Sequence, residues 1–193
     1  VARALNVGLR HLESSSSSFS SSSFSSSSSS SERANRGLLV ARLDADDESF
    51  DESRLAAQAA VLSENPSLVA VGGGTLTFTS DESRGGHDEA RYALRPCDAR
   101  LVAWALPFSC CVAHPTVMFR LSAVQEAGGY SESAGFAEDY DLWLRLTDAG
   151  PVVANVPEPL VWLRKSPQSA SARHREAQRE AADVAVHAAL ECR

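Results

Sequence analysis

Two clusters of acidic residues, each beside a predicted secondary-structure element, most constrain how this chain can fold. Asp44-Ala45-Asp46-Asp47 follows the apolar run 38–40, which is typical of a buried strand. Glu138-Asp139-Tyr140-Asp141 opens an apolar stretch with helical periodicity. Open α/β sheets bind ligands at the carboxyl ends of their strands, and a helix dipole stabilises a carboxylate at the helix start. Together the clusters predict a divalent metal that binds a phosphate, with a separate base beside it.

Composition and charge narrow the class of protein. The 193 residues, 44% hydrophobic and 22% charged, fit one folded domain, and a net charge of −7 without a basic block argues against nucleic-acid binding. No stretch is apolar and long enough to predict a transmembrane segment. The four cysteines lack zinc-ligand spacing, so we interpret them as reduced thiols and favour a cytoplasmic location. The chain starts at Val1, so a targeting signal upstream would not be visible.

Four segments are predicted along the chain. Residues 1–13 have leucines on one helical face, and residues 14–31 form a low-complexity serine tract. Such a tract cannot bury enough apolar surface to offset its ordering entropy, so it is predicted to be a disordered insertion. Residues 32–171 alternate strand and helix patterns, which is typical of a layered α/β core. Residues 172–193 are an alanine-rich helix.

Each acidic cluster also has a purely structural interpretation. Ser49 and Glu52 have the spacing of a capping box, so the acids before them could serve only the next helix. Glu138 and its neighbours could likewise only cap the helix that they open. An EF-hand loop starting at Asp44 is excluded, because Ser49 and Leu55 stand where Gly and Glu are required.

Further motifs, in a fixed order along the chain, favour a specific interpretation. They are Ala4-Leu5-Asn6-Val7-Gly8, Leu43-Asp44-Ala45-Asp46-Asp47, Arg54 with Gln58, 68–72, His114-Pro115-Thr116, Gly128-Gly129-Tyr130 and Glu138-Asp139-Tyr140-Asp141. This series resembles family 2 glycosyltransferases, which are inverting enzymes of the GT-A fold with an Asp-x-Asp motif. The resemblance implies an α/β fold, with a GT-A-like open mixed sheet flanked by helices.

The resemblance also implies a role for each acidic residue. Asp44 would contact the ribose of the nucleotide or help to hold a metal, and Asp46 would ligate Mg²⁺ or Mn²⁺ at the donor diphosphate. Asp139 would be the base that deprotonates an acceptor hydroxyl. Glu138 would orient the acceptor or the base.

Two departures from the family pattern bear on activity. The family often carries Tyr-Arg-x-His-Pro-x-Ser near its end, and Ser166 stands where that His would be. The resemblance then implies that the contact with the nucleotide sugar is lost or moves to Arg164 or Lys165. The opening strands that hold the nucleotide base in the family are also absent, so this is expected to be a partial domain.

The implied function is metal-dependent transfer of a single sugar from a nucleotide diphosphate sugar to a hydroxyl acceptor, with inversion. UDP-sugars are the favoured donors, and the sequence does not specify the acceptor. The alternative is a catalytically inactive GT-A remnant that acts as a binding module. The absent strands and Ser166 favour this alternative, whereas the joint presence of Asp44, Asp46 and Asp139 favours the enzyme. A metal-dependent phosphohydrolase would need more metal ligands than the sequence offers.

Overall fold

Six α-helices and six strands make up the part of the chain described by the computed structural model, residues 1–17, 37–80, 87–93, 95–165 and 173–191. The helices are α1 (Ala2–Ser17), α2 (Arg54–Glu64), α3 (Ala99–Ala105), α4 (Leu121–Glu126), α5 (Glu138–Asp148) and α6 (Arg175–Glu191). The strands are β1 (Leu39–Ala41), β2 (Glu48–Ser49), β3 (Ala70–Ser80), β4 (His87–Ala93), β5 (Met118–Arg120) and β6 (Val153–Lys165). Short 3-10 turns span His114–Thr116 and Glu132–Ala134.

The strands form one mixed sheet in the order β1-β5-β3-β6-β2, with β4 paired to β3. The long strands β3 and β6 are parallel and lie at its centre, whereas β1, β2, β4 and β5 pair antiparallel with their neighbours. Helices pack against this sheet, with buried side chains of α5 and α3 in the main core. The prediction of an α/β fold with an open mixed sheet flanked by helices is therefore confirmed.

A glycine triplet lies inside β3 rather than in a turn between two strands. The sequence pattern predicts separate strands at 68–71 and 75–79, but the structure has one continuous strand. A Cβ atom at Gly72 would lie 2.6 Å from Oδ1 of Asn155 on β6, and one at Gly74 would lie 2.5 Å from the Tyr92 ring on β4. The glycines therefore permit close approach of neighbouring side chains across the sheet.

Helix α5 is the best-buried helix of the core. Leu142, Trp143 and Leu144 are at most 2% exposed, which follows from the apolar periodicity of the stretch. The helix ends at Asp148, and Gly150 beyond it has a φ of 144°. Glycine adopts this positive φ without steric cost, and Gly150-Pro151 in the sequence predicts the helix end that the structure shows.

The start of α2 differs from the predicted capping box. Ser49 lies in β2, where it pairs with Val161 at the edge of the sheet, and α2 starts five residues later at Arg54. Ser53 occupies the N-cap position without a side-chain cap bond, and its backbone N–H donates to Oδ1 of Asp51 at 2.6 Å. The capping-box prediction is wrong, because pairing with β6 takes Ser49 into the sheet.

The terminal segments agree with the sequence patterns only in part. Helix α1 continues through the first four serines of the tract to Ser17, and α6 begins at Arg175. The remainder of the serine tract and the Ser166 position lie outside the described residues. Among the helices that are described, none has the length and apolar character needed to cross a membrane.

Candidate active site

The Asp-x-Asp turn directly follows strand β1. Hydrogen bonding to β5 continues one residue past β1, where the backbone N–H of Arg42 donates to the Val117 carbonyl at 2.8 Å. The chain then turns, with the N–H of Asp47 donating to the Asp44 carbonyl at 3.1 Å. The three carboxylates of Asp44, Asp46 and Asp47, called here the acidic turn, therefore lie at the carboxyl end of a sheet strand.

The members of the acidic turn differ in their surroundings. Asp44 is partly exposed, and its Oδ1 lies 2.7 Å from Nη2 of Arg42 in an ion pair. Asp46 is exposed to solvent. Because Mg²⁺ and Mn²⁺ prefer oxygen ligands and keep several of them from water and substrate, an exposed carboxylate such as Asp46 suits this type of ion.

Asp47 is a site residue that sequence reasoning assigned only to the following helix. Its Oδ1 accepts a hydrogen bond from the backbone N–H of Arg164 at 3.1 Å. The pKa of Asp47 is raised to about 6, mainly by burial and in addition by the negative charges of Asp44 and Asp46. The sequence feature that could have pointed to Asp47 is its position as a third acid directly after the Asp-x-Asp motif.

Arg164, the predicted nucleotide-sugar contact, lies on β6 beside the acidic turn. Its Nη2 is 3.6 Å from Oε1 of Glu48, and its guanidinium carbon lies 5.4 Å from the centre of the Phe78 ring. The pairing of β2 with β6 thus brings a cation to the predicted donor side of the site. Lys165 is the last residue of the strand.

Asp139 lies in the first turn of α5 and remains partly exposed. Its Oδ1 accepts a hydrogen bond from the Tyr140 N–H at 2.8 Å. The pKa of Asp139 is raised to about 6, mainly by burial and in addition by the charges of Glu138 and Asp44. The structure therefore brings the two acidic clusters close enough to interact electrostatically.

Glu138 and Asp141, the neighbours of Asp139, have different environments. Glu138 is 9% exposed, and its charge raises the pKa of Asp139. Asp141 pairs instead with Arg145, 2.6 Å away, which also donates to the carbonyls of Ala127 and Gly129. Of these two acids, Glu138 acts electrostatically on Asp139, whereas Asp141 holds the arginine that binds the 127–129 turn.

His114 connects Arg42, just before the acidic turn, to Tyr130. His114 is 8% exposed, and its Nε2 lies 2.9 Å from the Tyr130 hydroxyl and accepts a hydrogen bond from Nε of Arg42 at 3.3 Å. Burial and the charge of Arg42 lower the pKa of His114 to about 3, so the imidazole is neutral at pH 7. The only feature of the sequence that could have pointed to a site role for Arg42 is its position as a single cation at the end of the apolar run.

Two buried polar residues on α2 fix the backbone around the site. Nη2 of Arg54 donates to the carbonyls of Arg42 and Pro115, at 2.7 and 3.0 Å. Nε2 of Gln58 donates to the carbonyls of Thr116 and Val71. The motif residues Arg54 and Gln58 therefore position the acidic turn and the 114–116 turn and face away from solvent.

The donor set of the acidic turn fits a hard cation that is completed by a ligand. Among the residues that the structure describes, no three His, Cys, Asp or Glu side chains form a group that could hold a metal ion alone. Mg²⁺ is usually held by one or two carboxylates together with substrate phosphates. Burial is the main cause of the raised pKa of Asp47, and the charges of Asp44 and Asp46 add to it, so a cation bound at this turn would reduce their mutual repulsion.

A cavity of about 360 Å³ lies between α6 and the loop after α3. Tyr140 and Cys110 are among its lining residues, but the candidate acids are not. The charge of Asp139 contributes to the raised pKa of Cys110, about 12, which burial mainly causes. This thiol is therefore protonated and unreactive at pH 7.

Comparisons with known proteins identify the family of this chain. The model of glycosyl transferase family group 2 matches residues 39–182. An uncharacterised glycosyltransferase of Haemophilus influenzae is 32% identical over 136 residues, which cover 67% of this chain and 48% of the relative. The O-antigen biosynthesis glycosyltransferase WbnJ of Escherichia coli is 34% identical over 114 residues, which cover 58% of this chain and 41% of the relative.

The solved structures include a crystal structure of S. aureus TarS in complex with UDP-GlcNAc. It is similar to this chain with a TM-score of 0.43 at 15% identity, over 72% of this chain and 39% of the TarS chain. The chain spans about half the length of the curated relatives it matches. Because the family model covers both acidic clusters and most of the chain, this protein belongs to glycosyl transferase family group 2.

Proposed function

We propose that this chain carries the catalytic acids of an inverting, metal-dependent glycosyltransferase. It transfers a single sugar from a nucleotide diphosphate sugar to a hydroxyl acceptor, and UDP-sugars are the favoured donors. The observation that carries the proposal is the environment of Asp139. Its carboxyl group is partly exposed, its pKa is about 6, and the charge of Asp44 in the acidic turn contributes to that pKa. Family membership supports the class of reaction.

The acidic turn is the donor side of the proposed site. Asp46 would hold Mg²⁺ or Mn²⁺ with its exposed carboxylate, and Asp44 would contact the ribose or the same ion. The bound ion would supply positive charge that stabilises the departing nucleoside diphosphate. Arg164 would contribute a further cation to the donor, because its backbone is bonded to Asp47 on this turn.

Asp139 would act as the general base on the acceptor side. A base must be ionised at the working pH and within hydrogen-bond reach of the hydroxyl that it deprotonates. A pKa near 6 leaves Asp139 mostly ionised at pH 7, yet more basic than an exposed aspartate. The acceptor oxygen would attack the anomeric carbon opposite the diphosphate, so the new bond forms with inverted configuration, and Glu138 would help to orient Asp139 or the acceptor.

The proposed donor site is tested by calorimetric titration of the intact protein with UDP, with and without Mn²⁺. We expect binding that depends on manganese and that Asp46→Ala weakens by about tenfold or more, the effect of losing a charged ligand. Asp148→Asn is the matched control, because Asp148 is exposed at the other end of α5. Equal UDP binding with and without manganese would contradict metal dependence, and manganese-dependent binding without sugar transfer would favour the inactive binding module.

A further inference from the structure

Helix α1 fixes the position of Tyr130 through a single asparagine. Nδ2 of Asn6 donates to the Tyr130 carbonyl at 2.7 Å, and Oδ1 of Asn6 accepts from the Tyr130 N–H at 2.9 Å. A Cβ at the preceding Gly129 would lie 2.7 Å from that Oδ1, so glycine is needed for the approach. Tyr130 itself is 2% exposed, and its ring is held in the core.

Two hydrogen-bond donors converge on His114. Nε of Arg42 donates to Nε2 of His114 at 3.3 Å, so this nitrogen carries no proton in the described arrangement. The Tyr130 hydroxyl, 2.9 Å from the same nitrogen, is therefore also a donor. The single lone pair of this nitrogen is thus shared by the two donors in a three-centre hydrogen bond, which fixes the guanidinium relative to the tyrosine that α1 holds.

The same guanidinium reaches the acidic turn. Nη1 of Arg42 donates to the Leu43 carbonyl at 3.2 Å, and Nη2 lies 2.7 Å from Oδ1 of Asp44. Arg54 fixes the Arg42 backbone by donating to its carbonyl. Arg42 therefore engages one carboxylate oxygen of Asp44, Oδ1, and holds it at the start of the acidic turn.

We propose that Arg42, held by His114 and Tyr130, is a positioning residue that fixes the Asp44 carboxylate for the nucleotide part of the donor. This inference rests on the proposed function, which assigns Asp44 to the donor. The three carboxylates of the acidic turn repel one another, and Arg42 counters that repulsion while it restricts the rotation of Asp44. His114 and Tyr130 act through Arg42 and do not touch the donor.

A purely structural role for the same residues makes a different prediction. The His114 ring also packs near Tyr130 and Trp143, with centroid distances of 5.4 and 6.0 Å. If packing were its whole role, loss of the Tyr130 hydroxyl and loss of the Arg42 guanidinium would have independent effects on donor binding. If Tyr130 acts through Arg42, the two effects are not additive.

A double-mutant cycle distinguishes the two roles in the intact protein, with UDP and Mn²⁺ as the probe. We expect Tyr130→Phe and Arg42→Gln each to weaken binding by about tenfold, and the double variant to bind no more weakly than Arg42→Gln alone. Tyr130→Phe keeps the ring, so the fold is retained. Tyr92→Phe is the matched control, because the Tyr92 hydroxyl donates to the Pro157 carbonyl elsewhere in the sheet. Additive effects would overturn the proposal.

A second measurement does not depend on the donor. NMR detection of the Asp44 carboxyl carbon and the Arg42 Nε–H reports the network directly, and Tyr130→Phe is expected to shift both signals, whereas Tyr92→Phe shifts neither. If the Asp44 signal does not respond to Tyr130→Phe, the positioning role is wrong whether or not UDP binds. If it responds and the wild-type protein binds no UDP, the donor assignment fails and the positioning role stands.

Discussion

Asp47 accepts a hydrogen bond from the backbone N–H of Arg164, 3.1 Å away, and this contact joins the acidic turn to the central strand β6. The two residues are 117 positions apart in the chain. The contact places a cation and three carboxylates in one part of the molecule. It thereby connects Arg164, which the family resemblance associates with the donor, to an acid that the sequence assigned only to the following helix.

Replacement of Asp47 by alanine should weaken donor binding more than it weakens folding. The change removes the acceptor for the Arg164 N–H and one negative charge from the acidic turn. We expect about a tenfold loss of manganese-dependent UDP affinity, the effect of one hydrogen bond to a charged group. Titration calorimetry measures this loss. Glu64→Ala removes an exposed acid at the end of α2 and is the control, and equal losses in both variants would argue against a specific role of Asp47.

Asp141→Asn should lower stability and leave sugar transfer unchanged. Asp141 pairs with Arg145, and that arginine holds the carbonyls of the turn before α5. Since the pair is partly exposed, we expect a loss of about 1 kcal/mol in the free energy of unfolding, which urea denaturation measures. A large fall in kcat with normal stability would mean that Asp141, and not only Asp139, takes part in the chemistry.

The transfer rate should depend on the ionisation of Asp139. Its pKa is raised from 3.8 to about 6, so kcat at saturating donor should fall as the pH drops below about 6 and level off above it. Initial rates between pH 5 and pH 8 test this, with roughly half of the maximal rate expected at the pKa. A rate that stays constant down to about pH 4.5 would exclude Asp139 as the titrating base.

The same raised pKa affects stability with a defined sign. Folded Asp139 holds its proton more tightly than the unfolded chain does, so its contribution to stability is complete below about pH 4 and is lost as the pH rises through about 6. Asp139→Asn should remove this contribution to the pH dependence. Urea denaturation across this range measures it, and an unchanged pH dependence in the variant would contradict the shifted pKa.

Trp143→Ala should destabilise the fold strongly. Trp143 on α5 is fully buried in the main core, and replacing such a side chain by alanine costs about 3–5 kcal/mol. Trp104 is the matched control, because it is 70% exposed and its replacement should change stability by less than about 0.5 kcal/mol. Thermal and urea denaturation compare the two variants, and similar losses would contradict the assigned core.

The sequence predicted the strand and the helix that carry the acids because each of them has a hydrophobic pattern within a few residues of those acids. The apolar run before Asp44 and the helical periodicity after Glu138 each lie within a few residues of the acids that they position. Helix α5 and the strand before the acidic turn are therefore confirmed. The assigned roles of Asp44, Asp46, Asp139, Glu138 and Arg164 remain proposals.

The contacts that join these elements could not be predicted in the same way. Arg42 and His114 are 72 residues apart, and no periodicity or spacing relates them. The capping-box prediction failed for a related reason, since the pairing of Ser49 with β6 depends on a strand more than a hundred residues later. Side-chain pairs across the sheet are set by tertiary packing, which a single sequence does not display.

The measurement that tests the central claim most directly is the effect of Asp139→Asn on sugar transfer and on donor binding in the same preparation of the intact protein. We predict a loss of about 100-fold or more in kcat, the contribution of a general base, with UDP affinity in Mn²⁺ unchanged. Full activity in Asp139→Asn would contradict the assignment of the base. A parallel loss of UDP affinity would place Asp139 on the donor side of the site instead.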